Sequence, residues 1–267
     1  MSFAKWVPIL LIVLCNLGVV AAAHTHTNSA RAALAERIAA RDAAREADRL
    51  EAEAREMARY EQRHSELKAA ARVTALASLP GDPKKGRMTF MTCMACHGLK
   101  GEGMRAFQTP RLSGQAPWYL KLQLKKFQAG VRGAHPKDVQ GNQMAPMAKL
   151  LSTEKRIDDV VAYIASIDPG KPADKGKGDA LKGQPNYTIC STCHGSDAGG
   201  NEQQKAPWLA GQHGWYLAKQ LRNFRSGVRG YHADDAEGKL MVPQAQLPAD
   251  DQAILDLVAY ITSLDKK

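Results

Sequence analysis

The second half of this chain repeats the first half at a fixed offset of 97 residues. Without a gap, 38 of the 88 positions in residues 81–168 are identical to their equivalents in residues 178–265. One matching stretch pairs WYLKLQLKKFQAGVRG (118–133) with WYLAKQLRNFRSGVRG (215–230). A repeat of this length is large enough to fold as a domain, so the chain is predicted to contain two tandem copies of one domain.

Each copy is predicted to be all-helical. The last segment of each copy keeps its apolar residues at helical spacing, and the alternation that is typical of strands is absent. Glycines that are typical of helix ends, Gly130 and Gly227, follow the middle segments. We name the copies lobe 1 (80–168) and lobe 2 (177–267), and the Pro/Gly/Lys-rich residues 169–176 are predicted to be the linker between them.

Both lobes contain the pentapeptide C-x-x-C-H, as CMACH at 93–97 and CSTCH at 190–194. This signature is typical of haem c attachment, in which the two thiols bond to the haem vinyl groups and the histidine binds the iron. The alternatives are a zinc site, which would gather four ligands in one place, and a thioredoxin-like disulfide, which would need a βαβ context. The predicted attachment residues are Cys93, Cys96, Cys190 and Cys193, and the predicted iron ligands are His97 and His194.

The repeat also selects a second iron ligand in each lobe. Electron-carrying cytochromes c commonly hold the iron between a histidine and a methionine. Of the six methionines in lobe 1, only Met144 has a methionine at the equivalent position, and that residue, Met241, is the only methionine in the sequence of lobe 2. We therefore predict Met144 and Met241 as ligands, with Met147 as the alternative in lobe 1. A role in core packing is the competing interpretation.

The order of the motifs resembles that of di-haem class I cytochromes c, and in particular that of the cytochrome c4 family. The motifs are C-x-x-C-H-G, P-x-L-x-G-Q, W-Y-L-x-x-Q-L-x-x-F-x-x-G-x-R-G, M-x-P and V-A-Y-I, from about residue 81 to the end. The resemblance implies two all-α lobes, each wrapping one covalently bound haem c whose iron is held by histidine and methionine. It also implies that the carbonyls of Pro110 and Pro207 accept hydrogen bonds from the ligand histidines, which orients the rings.

The function that this resemblance implies is electron transfer in a bacterial periplasm. The partners would be redox proteins of the respiratory chain, such as a terminal oxidase or an upstream cytochrome complex. Because histidine and methionine would close both faces of each iron, we predict an electron carrier with no catalytic residue rather than an enzyme. One alternative is a haem enzyme, of the peroxidase or sulfur-compound-oxidising kind, with one labile axial ligand. Another is an anchored electron-transfer subunit of a larger respiratory complex.

The chain is basic, with 37 Lys and Arg against 27 Asp and Glu. Basic proteins bind nucleic acid, anionic membranes or acidic proteins. No motif interleaves basic and aromatic residues in the way that nucleic-acid-binding surfaces do, so we expect no nucleic-acid partner. The charge instead favours docking to acidic redox proteins, with an association rate that depends on salt.

Residues 1–23 are predicted to be a signal peptide or an uncleaved membrane anchor. Lys5 precedes an apolar run, and three alanines at 21–23 fit a small-residue cleavage site. The 18 residues 6–23 are also close to the length that spans a bilayer. The protein is therefore predicted to be periplasmic, either soluble or attached to the inner membrane through residues 1–23.

Residues 28–79 are predicted to form one long, charged helix. They contain no Gly or Pro and are rich in Ala, Arg and Glu, which favour helices. Arginines recur every four residues from Arg37 to Arg49 with acids between them, a spacing that allows ion pairs along the helix. A solvated helix without a partner is the favoured interpretation, and a coiled coil or packing against the lobes are the alternatives.

Several other residues are paired across the repeat. Arg132 and Arg229 could neutralise the haem propionates, and a solvated surface position is the alternative. For His135 and His232 we predict a loop position or a role at the propionate edge rather than on the iron. His213, which has no histidine equivalent, is predicted to be a surface residue. The paired aromatic residues are predicted to pack in the cores and around the haems; they are Trp118, Tyr119, Trp215 and Tyr216.

Overall fold

The structure of the protein is a computed structural model that describes residues 7–168 and 174–264. The side chains of residues 7–27 and of six positions between 64 and 72 lie outside this description. The described residues form nine α-helices and no strand, which confirms the predicted all-α fold. The helices are α1 Val7–Ala77, α2 Pro83–His97, α3 Pro117–Gln128, α4 Val139–Lys149, α5 Glu154–Ser166, α6 Ala180–His194, α7 Gly214–Arg225, α8 Ala236–Gln244 and α9 Asp251–Ser263. The chain divides into two units, of which the first ends at Arg72 and the second begins at Val73.

The first unit is formed by helix α1, and the predicted long, charged helix is present in it. All side chains from residue 28 to residue 63 are exposed. Ion pairs of the expected spacing connect neighbouring turns, since Arg49 Nη1 lies 3.3 Å from Glu53 Oε1 and Arg55 Nη1 lies 3.1 Å from Glu51 Oε1. Such exposed pairs each contribute little, so the helix depends mainly on the high propensity of its residues.

No helix is long and apolar enough to cross a membrane in the part of the chain whose side chains the structure describes. The predicted signal peptide or anchor, residues 1–23, lies outside that part. Most of the predicted linker, residues 169–176, also lies outside the described residues.

Each lobe of the second unit is built on a packed pair of helices, α2 with α5 in lobe 1 and α6 with α9 in lobe 2. A glycine allows each pair to approach closely. A Cβ atom on Gly86 would lie 1.8 Å from Asp159 O, and a Cβ atom on the equivalent Gly183 would lie 1.9 Å from Asp256 O. No side chain fits at either contact, so the two helices can meet in this way only through glycine.

An aromatic pair packs across each helix contact. The ring centroids of Phe90 and Tyr163 are 5.4 Å apart, and those of the equivalent Tyr187 and Tyr260 are 5.5 Å apart. The buried core of lobe 1 consists of Phe90, Leu120, Leu151, Ile157, Val160, Val161 and Ile164. The buried core of lobe 2 consists of Tyr187, Ala198, Ala210, Leu217, Ala218, Ile254, Leu257, Val258 and Ile261. The repeat in sequence is therefore a repeat in packing.

The helices that carry the C-x-x-C-H motifs are defined at both ends. The side chain of Asp82 accepts a hydrogen bond from Lys84 N at 2.8 Å and caps α2, and Asp179 caps α6 in the same way. Gly98 and Gly195 follow the histidines with φ angles of 83° and 80°, a conformation that glycine favours. Each helix therefore stops immediately after its histidine, with the thiols and the imidazole in the last two turns.

Helices α4 and α8 were not expected from the sequence, because each is short and contains a proline, Pro146 or Pro243. Both begin at a buried aspartate whose side chain accepts a hydrogen bond from a glycine three residues further on. These aspartates, Asp138 and Asp235, cap the first turns of α4 and α8. The caps offset the low helix propensity of the proline and glycine residues in both helices.

Candidate haem sites

One continuous cavity of about 340 Å³, counted as the space open to the centre of a water molecule, extends through both lobes. Seven of the eight residues predicted to hold the haems line it: Cys93, Cys96, His97, Met144, Cys190, His194 and Met241. The eighth, Cys193, is exposed in the last turn of α6 and does not border the cavity as the described residues define it. The remaining walls are mainly apolar side chains from α3, α5, α7 and α9.

The thiols of the two motifs lie on consecutive turns of α2 and α6. Cys93 and Cys190 are half-buried, Cys96 and Cys193 are exposed, and none of the four is in a disulfide. Burial raises the pKa of the Cys93 and Cys190 thiols above the ordinary value. The inner thiol of each pair therefore stays protonated at neutral pH until it is used in a covalent bond.

The two motif histidines are buried and oriented by a carbonyl. The exposed fraction of His97 is 6% and that of His194 is 5%. Nδ1 of His97 lies 3.1 Å from Pro110 O, and Nδ1 of His194 lies 2.9 Å from Pro207 O, which confirms the predicted hydrogen bonds. Because a carbonyl only accepts, Nδ1 must carry the proton, and Nε2 keeps its lone pair for a metal. Burial also lowers the pKa of both rings, so the neutral form that can bind iron is favoured.

The two predicted methionine ligands occupy equivalent places on α4 and α8. Met144 and Met241 are both half-buried, and each lies two residues before the proline that interrupts its helix. Met147, the alternative in lobe 1, also borders the cavity but is 41% exposed. Its equivalent in lobe 2 is Gln244, so only the pair Met144 and Met241 offers the same soft ligand to both halves of the cavity.

Arg132 and Arg229 cross the boundary between the lobes. Arg132 Nη2 donates to the Tyr216 hydroxyl at 3.1 Å, and its Nη1 donates to Gln123 Oε1 at 2.7 Å. Arg229 repeats the second contact with Gln220 at 2.8 Å. Neither guanidinium forms an ion pair with a carboxylate among the described residues.

Buried carboxylates act on both of these arginines, Asp138 on Arg132 and Asp235 on Arg229. Nε of Arg229 is buried and has no hydrogen-bond partner among the described residues. Burial would raise the pKa of Tyr119, yet the charges of Arg229 and Arg132 outweigh it and hold this pKa below the ordinary value. The unpartnered Nε of Arg229 offers a hydrogen bond to an anion at the cavity wall, and a haem propionate is an anion of suitable size. The residues present therefore fit a haem, whose propionates Arg132 and Arg229 would neutralise.

A buried ion pair that sequence analysis missed also joins the lobes. Lys126 Nζ lies 2.5 Å from Asp235 Oδ1 and 2.5 Å from Glu237 Oε2. Burial would raise the pKa of Asp235, but the hydrogen bond and charge of Lys126 hold it below the ordinary value. The equivalent of Lys126 in lobe 2 is Asn223, so this contact has no counterpart on the other side.

The prediction that His213 is a surface residue is wrong, because only 6% of it is exposed. Its ring stacks on Trp215, and its Nε2 lies 2.6 Å from Glu102 O in lobe 1. The equivalent residue of lobe 1, Ala116, is also fully buried. His213 is covered by the opposite lobe, which could not be seen from its own lobe alone.

His135 and His232 lie in the loops before α4 and α8. Nδ1 of His135 accepts from Lys137 N at 3.0 Å, and Nδ1 of His232 accepts from Asp234 N at 3.1 Å. The ring of His135 also packs edge-on against Tyr231 of lobe 2, with 4.7 Å between centroids. Both histidines lie in loops, as one of the predicted alternatives had it, and neither borders the cavity as the described residues define it.

Comparisons with known proteins agree with this architecture. A family model described as cytochrome c matches residues 83–168 and again residues 180–265. Cytochrome c4 of Thiocapsa roseopersicina is 34% identical over 202 residues, which cover 72% of this chain and 97% of that protein. The thiosulfate dehydrogenase electron acceptor of Stutzerimonas stutzeri is 32% identical over 184 residues, which cover 64% of this chain and 79% of that protein. The crystal structure of reduced recombinant cytochrome c4 from Pseudomonas stutzeri matches with a TM-score of 0.54 and 29% identity, covering 69% of this chain and 100% of that one.

Two all-α lobes, two C-x-x-C-H helices on one cavity and a family model that matches twice define an electron-carrying c-type cytochrome with two covalently bound haem c groups. Its cytochrome c4 relatives are electron carriers and not enzymes. The chain belongs to the cytochrome c4 family, as its motifs indicated.

Proposed function

We propose that the protein carries single electrons between respiratory-chain partners in the periplasm, through two irons that are each held by a histidine and a methionine. The observation that supports this most strongly is the equivalence of the two lobes. Each lobe brings one buried histidine, fixed with its Nε2 free, and one methionine to the same cavity. These four residues are His97, Met144, His194 and Met241.

The residues of the chain have separate roles in this function. The four motif cysteines fix the haems covalently, and haem iron supplies a reversible one-electron couple when bound. The Pro110 and Pro207 carbonyls hold the ligand imidazoles in one tautomer and orientation. Arg132 and Arg229 balance the propionate charge, and the apolar side chains of α3, α5, α7 and α9 keep water from the irons.

A redox titration followed by absorption spectroscopy tests this proposal. We expect two one-electron steps per chain, each fully reversible. Thiosulfate or peroxide added to the oxidised or reduced protein should give no catalytic turnover. Turnover of either compound by the protein alone would contradict the carrier function and would favour the haem-enzyme alternative.

A second candidate role concerns the electron donor. The relative in Stutzerimonas stutzeri is described as the electron acceptor of a thiosulfate dehydrogenase. A chain of this kind would receive electrons from such an enzyme rather than from an upstream cytochrome complex. Rapid reduction of the protein by a thiosulfate dehydrogenase and thiosulfate, with none by thiosulfate alone, would support this role.

The partner is proposed to dock on lobe 1. Lobe 1 has 14 Lys and Arg against 7 Asp and Glu, whereas lobe 2 has 10 of each. Part of the difference lies in the loop after the ligand histidine, where Lys100 and Arg105 of lobe 1 stand in place of Asp197 and Glu202. Phe107 lies at the cavity mouth and is 50% exposed. An apolar centre with a basic rim is suited to an acidic protein surface.

The docking proposal is tested by adsorption on a gold electrode coated with carboxylate groups. We expect the double variant K100E/R105E to lose adsorption at lower ionic strength than the wild type and to transfer electrons about tenfold more slowly at low salt. The control is K177E/K182E, which makes the same change in charge at exposed positions of lobe 2. An equal loss in both variants would mean that net charge, and not the lobe 1 surface, controls docking.

A further inference from the structure

Two equivalent glutamines, Gln115 and Gln212, each reach across the lobe boundary to one residue of the opposite backbone. Gln212 Oε1 accepts from Arg111 N at 3.0 Å, and its Nε2 donates to Arg111 O at 2.9 Å. Gln115 Oε1 accepts from Trp208 N at 3.1 Å, and its Nε2 donates to Trp208 O at 2.9 Å. Arg111 and Trp208 are themselves equivalent across the repeat. The lobes are therefore joined by two matching pairs of hydrogen bonds.

The peptide group that each glutamine contacts is the one that holds a ligand histidine. The Pro110 carbonyl accepts from His97 Nδ1, and the N–H of the same peptide group, on Arg111, donates to Gln212 of the other lobe. In lobe 2, the peptide between Pro207 and Trp208 lies in the same way between His194 and Gln115. One amide group thus separates the histidine of each lobe from the glutamine of the other lobe.

The glutamines are held firmly enough to act on that amide. Each carbonyl oxygen accepts a second hydrogen bond at the start of its own helix, from Ala116 N at 2.9 Å or from His213 N at 3.0 Å. Gln212 is 7% exposed and Arg111 is 5% exposed, so water cannot readily replace their contact, whereas Gln115 and Trp208 are half-buried. A buried N–H that loses its partner in such a place is not compensated by solvent.

We propose that each glutamine lowers the reduction potential of the haem in the opposite lobe. A hydrogen bond accepted from a peptide N–H polarises the amide and increases the negative charge on its carbonyl oxygen. The stronger carbonyl draws the Nδ1 proton of the histidine and makes the imidazole a better electron donor. An electron-rich imidazole stabilises ferric over ferrous iron. Gln212 therefore acts on the haem at His97, and Gln115 acts on the haem at His194.

This inference rests on the proposed ligation by His97 and His194, and its test separates the two claims. The variant Q212L keeps the size of the side chain and removes both polar groups. We expect the potential of the lobe 1 haem to rise by about 28 mV, which is a threefold change in the ratio of reduced to oxidised iron at 59 mV per tenfold. The potential of the lobe 2 haem should stay the same. Q115L should give the opposite pattern, and it tests the inference independently if Q212L does not assemble.

The second readout is the Nδ1 proton of each ligand histidine in the NMR spectrum of the reduced, diamagnetic protein. A weaker hydrogen bond to Pro110 should move the His97 signal to lower frequency in Q212L and leave the His194 signal in place. The control is H213A, which removes a cross-lobe contact to Glu102 O without touching the peptide after Pro110. In H213A we expect no change in potential, and no change in the Nδ1 proton signal, that is confined to one haem.

Three results would overturn the inference. They are an equal shift of both haems in Q212L, a shift of the lobe 2 haem alone, or the same pattern in H213A. The wild-type spectra decide the proposed function separately. If His97 or His194 is not found bound to iron there, the ligand assignment fails before the glutamines are tested.

Discussion

Replacing Met241 by alanine should remove the proposed second ligand of the lobe 2 iron. We expect the far-red absorption of methionine-ligated ferric haem to halve, because one of two sites loses its sulfur. The potential of that haem should fall by roughly 100 mV or more, within the roughly 0.8 V range that axial ligands span. Carbon monoxide should then bind the reduced lobe 2 haem. M144A should give the same changes in lobe 1.

The matched control for the ligand variants is M147A. Met147 is the other methionine that borders the lobe 1 part of the cavity, and it is 41% exposed. We expect M147A to keep the far-red absorption and to remain closed to carbon monoxide. If M147A opened the lobe 1 iron and M144A did not, the ligand in that lobe would be Met147.

Replacing Lys126 by methionine should cause the largest loss of stability. The side chain of Lys126 is 11% exposed and that of Asp235 is 7% exposed. Removing Lys126 leaves Asp235 with only the charge of Arg229 and the Gly238 N–H, and breaking a buried pair costs up to about 3–5 kcal/mol. The measurement is the free energy of unfolding of the haem-loaded protein in denaturant. K125M is the control, because Lys125 is 46% exposed in its pair with Glu154 and such surface pairs are worth at most about 1 kcal/mol.

The same variant should change the response to acid. Burial alone would raise the pKa of Asp235, and the Lys126 hydrogen bond and charge hold it below the ordinary value. A carboxylate with a lowered folded pKa stabilises the protein above its unfolded pKa of about 4, and this stability is lost as pH falls through the folded pKa. The wild type should therefore lose stability below about pH 4. In K126M this dependence should be flatter, and adding D235N should recover part of the lost stability. An unchanged acid response would contradict the role of this pair.

The site chemistry could be predicted from the sequence because it is local. C-x-x-C-H places two thiols and an imidazole on consecutive turns of one helix, whatever else the chain does. The repeat then indicates Met144 as the proposed second ligand. If both lobes need a methionine ligand, it should occupy equivalent positions, and only Met144 and Met241 are methionines separated by 97 residues. Local constraints of this kind need no knowledge of how the lobes pack.

The features that the sequence did not predict lie mostly between the lobes. His213 was predicted to be exposed because its own lobe gives no reason to bury it, and the opposite lobe covers it. Lys126 and Asp235 are 109 residues apart, and no periodicity connects them. Gln115 and Gln212 were visible as identical residues in a motif, but their partners became clear only when the lobes were seen in contact.

Helices α4 and α8 were missed for a different reason. Proline and glycine lower their intrinsic helix propensity, so a pattern based on propensity does not find them. A buried aspartate caps each one and supplies the start of the helix. The prolines inside these helices, Pro146 and Pro243, lie two residues after the proposed ligands Met144 and Met241. Poor helix propensity is expected near a functional site of this kind.

The most direct test of the proposed ligation is the addition of carbon monoxide to the dithionite-reduced wild-type protein, with total haem counted in the same sample. We expect two haems per chain and no spectral change, because histidine and methionine would close both faces of each iron. Rapid binding of carbon monoxide at either haem would contradict the ligand assignment in that lobe and would revive the haem-enzyme alternative there. Fewer than two haems per chain would contradict the attachment of haem at both C-x-x-C-H motifs.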